Sequence, residues 1–401
     1  MKNFEIIKKD AIKKISETEI SVHCWQTDDV AGFELDTTLG GGIQSTGNYP
    51  GKARNKDEVF KDLEFVFNNL GGKFRLNLHA FYLISSDKHD RNEIEYADFA
   101  EWVEFAKTND VKIDFNPTFF AHDKADTGFT LASTDKEIRD FWIEHGKRCI
   151  KISEQIAKEL NDICVMNIWI PDGAKEVPTN RLNHRMLLKD SLDQIIGIEY
   201  DKQLVPVAVE SKVFGIGVEN YTVGSHEFYM SYAASRGINC LVDSGHYHQT
   251  ENVADKLSSL LTFNDKVALH LTRPVRWDSD HVLIRNQELS DICDEIARLG
   301  TDKFYIGLDW FDGSINRPFA YISGIRNLQK TLLKSMINRS YHNTDEIETE
   351  SNALLRYEFL KDDFDMASIW NEYCATTNTL VDTEVLKAID EYEQTELKGR
   401  A

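Results

Sequence analysis

The chain has 401 residues, 41% hydrophobic and 28% charged, a balance that supports a folded core and excludes wholesale disorder. Its 67 acidic side chains against 46 basic ones leave a net charge of −21, which repels a phosphate backbone and excludes nucleic acid as the expected partner. No stretch approaches the roughly 18 apolar residues of a membrane span, so no membrane partner is expected either.

From the N-terminus, residues 1–10 break their apolar side chains with Lys, Glu and Asp and offer no apolar secretory segment. Eight β-rich runs follow, at 19–25, 74–83, 111–116, 164–170, 204–211, 238–243, 267–272 and 304–309, with helically spaced segments between them. Eight strands alternating with helices are the number that closes a (β/α)8 TIM barrel, the α/β fold expected here. The alternative, a doubly wound open sheet, would carry a Gly-rich turn after its first strand. Gly215-Ile216-Gly217-Val218 lacks the third glycine, and Gly47-Asn48-Tyr49-Pro50-Gly51-Lys52-Ala53 has the wrong spacing. Past Asp309 the apolar spacing becomes three and four at 325–338 and 350–362, predicting a helical C-terminal extension. The expected division is a barrel domain over 1–330 and a helical extension over 331–401. The six cysteines are scattered without a C-x-x-C pair, as in a reduced chain, so a cytoplasmic location is expected.

A barrel of this kind places its active site at the C-terminal ends of its strands. Those ends supply His23, Trp25 and Gln26, then Asn77 and His79, Asp114 and Asn116, and Asn167, Trp169 and Asp172. The later runs supply Glu210 and Lys212, Asp243 and His246, His270, and Asp309. Singly, a strand-end Asp more often caps the next helix, and a buried His is more often a hydrogen-bonded core residue. Together, four consecutive strands ending in potential ligands point at one central volume, and carboxylate with imidazole suits manganese, cobalt or magnesium. Asp243-Ser244-Gly245-His246 sets two ligand types three apart, and Trp277-Asp278-Ser279-Asp280-His281 adds two carboxylates, so two neighbouring ion sites are plausible. Lys212 follows Glu210 by two residues and shares its strand face; a structural salt bridge is the plainer reading. Trp25, Trp169 and Phe119 offer flat walls of the sort that hold sugars, although strand-end aromatics are more often simply packed.

The strings Val22-His23-Cys24-Trp25-Gln26, Gly42-Ile43-Gln44-Ser45-Thr46-Gly47-Asn48, Asn167-Ile168-Trp169-Ile170-Pro171-Asp172-Gly173, Val209-Glu210-Ser211-Lys212 and Arg273-Pro274-Val275-Arg276-Trp277-Asp278-Ser279-Asp280-His281 resemble the L-rhamnose isomerase family. The likeness runs from about Ser21 to Arg326 and fades beyond, and the roughly twenty residues before the first strand, fewer than the family leads one to expect, imply an N-terminal helix that is short or missing. It implies a metal-dependent aldose–ketose isomerase, a cytoplasmic homotetramer that interconverts L-rhamnose and L-rhamnulose. By the same resemblance Glu210, Asp243, His270 and Asp309 would hold one ion and His246, Asp278 and Asp280 a second, with manganese generally preferred.

The expected chemistry is a metal-assisted hydride shift. His79 would assist ring opening, Asp309 and Glu210 would act at the sugar through the first ion, and Lys212 would stabilise the developing oxyanion. An enediol route stays open at this stage. A metal-dependent hydrolase or phosphoesterase on the same ligands, and a sugar-binding protein without catalysis, are the rival classes.

Overall fold

A computed structural model gives the fold of residues 3–24, 33, 49–85, 89–212, 220–248, 250–274, 280–310 and 315–401, with Asp280 described by its backbone alone. Each of the eight predicted runs overlaps a strand of one closed parallel barrel. The strands are β1 (Glu19–His23), β2 (Lys73–His79), β3 (Lys112–Asn116), β4 (Met166–Trp169), β5 (Val207–Glu210), β6 (Asn239–Asp243), β7 (Val267–Leu271) and β8 (Phe304–Leu308). Closure is made between the first and last, where Ile20 is in register with Ile306 and Val22 with Leu308.

The strands alternate in chemistry as their pleat requires. On β1, Ile20 and Val22 join the apolar layer beneath the helices, whereas Ser21 reaches the barrel interior, where its hydroxyl donates to Asp114 Oδ2 at 2.6 Å. The interior is divided. Ala208, Leu241 and Ala268, with Tyr305 against them, make a small apolar cluster, while Arg75 donates to Asp114, Glu19 and the Ile163 carbonyl. Between these groups lies a cavity of about 380 Å³, lined by Arg75, Asp114, Ala268 and Tyr305 and reaching up to Asn77 and His270.

The wall is built by helices α1 (Phe4–Glu17), α2 (Lys56–Asn68), α3 (Ala100–Thr108), α4 (Lys136–Leu160), α5 (Arg181–Ile196), α6 (His226–Arg236), α7 (Ala254–Leu261), α8 (Gln287–Leu299) and α9 (Arg317–Tyr341). Their starts carry side-chain caps: Asn55 accepts from Glu58 N, Asn286 from Leu289 N and Asn316 from Phe319 N. The expectation of a short or missing N-terminal helix is corrected. Helix α1 has 14 residues, capped by Asn3, and its spacing places Ile7, Ala11 and Ile15 on one buried face.

The C-terminal region is helical, with α10 (Thr344–Ile347), α11 (Ala353–Leu360), α12 (Met366–Thr376) and α13 (Asp382–Tyr392) following α9. Helix α9 starts earlier than the spacing at 325–338 suggests, because Asn316 caps it and Pro318 sits in its first turn, and it runs unbroken through position 330. Arg326 on α9 donates to Asp382 Oδ1 at 2.8 Å and to the Leu380 carbonyl at 2.6 Å, drawing the following helices back onto the barrel. All six cysteines are free and buried.

Candidate metal centre

Five of the barrel strands supply one close cluster of ionisable side chains at their C-terminal ends. β5 ends in Glu210 and β6 in Asp243, whose Oδ1 accepts from Gly245 N at 2.7 Å and shapes the turn that brings His246 inward. β7 carries His270, Asp309 follows β8, and β1 ends in His23. His270 is central. Its Nδ1 lies 3.3 Å from Glu210 Oε2, 3.6 Å from Asp309 Oδ2 and 3.8 Å from Asp243 Oδ2. His246 Nδ1 lies 3.3 Å from Glu210 Oε1, and its Nε2 is 3.9 Å from Asp243 Oδ2. His23 Nε2 approaches Asp309 Oδ2 at 3.6 Å. Two sets have ligand atoms within 4.8 Å of one another: His23, His270 and Asp309, and Glu210, Asp243 and His246. All of these residues are buried except Asp309, which is partly open.

Backbone carbonyls orient two of the imidazoles. A carbonyl only accepts, so His246 Nδ1, 2.7 Å from the Ser211 oxygen, carries a proton and turns Nε2 toward Asp243. His23 is held likewise by the Leu308 oxygen at 3.3 Å. Room for the His270 ring comes from Gly307, its register partner on β8: a Cβ there would stand 2.6 Å from the Leu269 oxygen and 2.9 Å from the His270 ring.

The electrostatics follow from burial and crowding. Burial, with His270 and His79 alongside, holds His23 well below the ordinary imidazole range, and burial does the same to His79. At His270 burial is the largest influence and works in that direction too, but Glu210 and Asp309 together outweigh it and raise the pKa. Burial alone would raise Glu210, yet the facing His270 and His246 hold its carboxyl low. The residues fit a divalent cation: His270 Nδ1 is buried and makes no hydrogen bond to the described residues, although three carboxylates surround it. Carboxylate and imidazole donors of this kind suit manganese, cobalt or magnesium.

Other expected site residues stand around this cluster. Lys212, just past β5, holds its Nζ 4.7 Å from the centre of the Trp169 ring. His79 ends β2, where its Nδ1 meets Thr118 Oγ1 at 3.2 Å and its ring lies 5.2 Å from that of His23. Trp25, Asp278 and the side chain of Asp280 lie outside the described residues; the Asp280 backbone pairs with Pro274.

Phe119 is a correction. It is fully buried against Trp142 and His145 of α4 and forms part of the core behind the strands. The next residue, Phe120, is the one that meets the site, edge-on to Trp169 at 5.3 Å and 6.2 Å from His79. Asp114 and Asp172 also fall away from the cluster. Asp114 pairs with Arg75, and Asp172 accepts from Thr130 and Ala132, with burial pushing its pKa up to about 6. Sequence reasoning named His23 as a strand end without giving it a partner. The usable signal was closure, since in a closed barrel the residue ending β1 stands beside the one following β8.

A closed parallel barrel with carboxylates and imidazoles converging at the C-terminal ends of its strands defines the class, a (β/α)8-barrel enzyme. The family described as L-rhamnose isomerase (RhaA) matches residues 1–400, so the likeness extends well past Arg326. L-rhamnose isomerase of Listeria monocytogenes is 45% identical over 398 residues, 98% of this chain and 94% of the relative. That of Mannheimia succiniciproducens is 46% identical over 399 residues, 98% and 94% of the two chains. That of Yersinia pseudotuberculosis is 45% identical over 394 residues, 97% and 94%. The chain belongs to the L-rhamnose isomerase family and is an isomerase.

Proposed function

We propose that the chain interconverts L-rhamnose and L-rhamnulose by a hydride shift between C2 and C1 of the open-chain sugar. The observation that carries this reading is the convergence of Glu210, Asp243, His246, His270 and Asp309 at one barrel end, in a chain that matches the isomerase family throughout. Two divalent cations, manganese by preference with cobalt or magnesium as substitutes, supply Lewis acidity toward the sugar oxygens when held by Glu210, Asp243, His270 and Asp309 and by His246, Asp278 and Asp280.

The remaining groups bind, orient and move protons. Trp169 and Phe120 make the apolar wall, Phe120 taking the place first given to Phe119, and Trp25 is assigned to the same wall from its place in the sequence. With Nδ1 engaged by Thr118, His79 uses Nε2 to pass a proton during ring opening. Lys212, steadied over Trp169, donates to O1 as negative charge gathers there. Hydride leaves C2 for the aldehyde carbon C1, O2 loses a proton and O1 gains one, so the two sugars contain the same atoms.

The same proposal includes a cytoplasmic homotetramer. No described helix is long and apolar enough to cross a membrane, and α11 has no buried residue while exposing Leu354, Leu355 and Phe359, a face suited to a neighbouring subunit. It also includes the division into a barrel, 1–330, and an extension, 331–401; because α9 crosses that boundary, the two are expected to unfold together.

A sugar-panel assay after chelation and readdition of Mn2+ tests the function. L-rhamnose conversion is expected to vanish and return, and phosphate release from a sugar phosphate without rhamnose conversion would sink the reading. In deuterated water, heavy label at C1 of the product would count against the hydride shift. Asp278→Asn is expected to abolish turnover and weaken one ion without unfolding the protein. Light scattering reads the oligomer.

A further inference from the structure

Beneath the ionisable cluster, the barrel interior carries three buried asparagines: Asn77 on β2, Asn116 on β3 and Asn167 on β4. Asn77 and Asn167 stand two residues before His79 and Trp169 and share their inward face. Asn167 Nδ2 donates to Glu210 Oε2 at 2.5 Å, leaving Oε1 on the His246 side. Asn116 Nδ2 has two hydrogens and two partners, Asn77 Oδ1 at 2.5 Å and His23 Nε2 at 3.2 Å. Asn77 Nδ2 in turn approaches His270 Nε2 at 3.5 Å, the nitrogen opposite the one facing the carboxylates.

These amides are a poor way to fill a barrel. Asn116 Oδ1 and Asn167 Oδ1 are buried and accept nothing from the described residues. An acceptor left unmatched at such depth is destabilising, and leucine of similar volume would avoid that cost. What the polarity of Asn167 accomplishes lies on the other end of its amide, where the N–H reaches a carboxylate of the cluster above.

We propose that Asn167 is a positioning residue for the cation centre, its amide fixing Glu210 Oε2 from below so that Oε1 stays on the His246 side. This rests on the reading that the cluster holds a divalent cation. Partners of this kind, standing behind metal-ligating side chains, typically change metal affinity by about 10–100-fold when removed.

The test is titration of Mn2+ into the metal-free full chain and into Asn167→Leu, with the thermal midpoint of each metal-free protein and the EPR spectrum of bound Mn2+ recorded alongside. The expected result is a Kd raised by about 10-fold or more and an altered EPR spectrum, in a metal-free protein that still unfolds cooperatively. Asn167→Ser carries the test by the same criterion should the leucine variant fail to fold. Folded variants that bind Mn2+ within about twofold of the parent, with the parent's spectrum, overturn this inference alone. A parent that does not bind Mn2+ overturns the functional reading as well.

Discussion

His145 shows how a single buried imidazole sets a pH limit away from the chemistry. Burial, helped by nearby Arg91, lowers its pKa to about 3, and its Nδ1 donates to the Arg91 carbonyl at 2.8 Å. The unfolded chain titrates this group near 6.5, so between about 6.5 and 3 the unfolded state binds the extra proton and stability falls as the pH drops, by about 1.4 kcal/mol per unit. His145→Gln is expected to cost about 1–3 kcal/mol at pH 7 and to flatten that slope by one proton; urea unfolding at pH 7 and pH 5 measures both. The neighbouring phenylalanines separate by the same logic of place. Phe119→Ala is expected to lose about 3–5 kcal/mol of stability with KM for L-rhamnose unchanged, and Phe120→Ala to raise KM. Steady-state kinetics beside thermal melts would expose a reversed pattern.

Among elements, the strands were readable because a parallel barrel buries both faces of each, which concentrates β-branched and apolar residues into short runs. Glu210, Asp243, His270 and Asp309 were readable for a related reason, as polar residues ending those runs. Phe119 and Phe120 were not, because β3 stops at Asn116 and the two-residue alternation gives no guide beyond a strand's end. Asn167 looked like ordinary strand-end polarity, since its contact with Glu210 on the neighbouring strand is one that no local spacing encodes. Packing of α9 was equally hidden. At Gly324 an added Cβ would stand 2.3 Å from Trp310 Cη2, so the missing side chain lets the helix lie on the residue next to Asp309. Gly324→Ala is expected to destabilise by about 1–3 kcal/mol even after a gain of up to about 1 kcal/mol in helix propensity, and to weaken Mn2+ binding through Asp309. Denaturant midpoints and a Mn2+ titration check the two effects separately.

For the whole molecule, the last helices act as a strap. Buried Asp62 on α2 accepts from Tyr392 at 2.6 Å and from Arg400 at 2.8 Å, while Phe65 stacks on the Tyr392 ring with centroids 4.0 Å apart. Arg400→Gln is expected to cost about 1–3 kcal/mol, because it strips a partner from a carboxylate with no access to water, and a chain ending at Tyr341 is expected to melt well below the parent. Thermal denaturation of both measures the strap's share. The hollow under the asparagines points the other way. Ala268→Val would fill part of that 380 Å³ void and is expected to add about 0.5–1 kcal/mol while sparing turnover. The underside of the barrel is thus a reserve where the lineage can drift, or an engineer can harden the enzyme against heat, without disturbing the sugar.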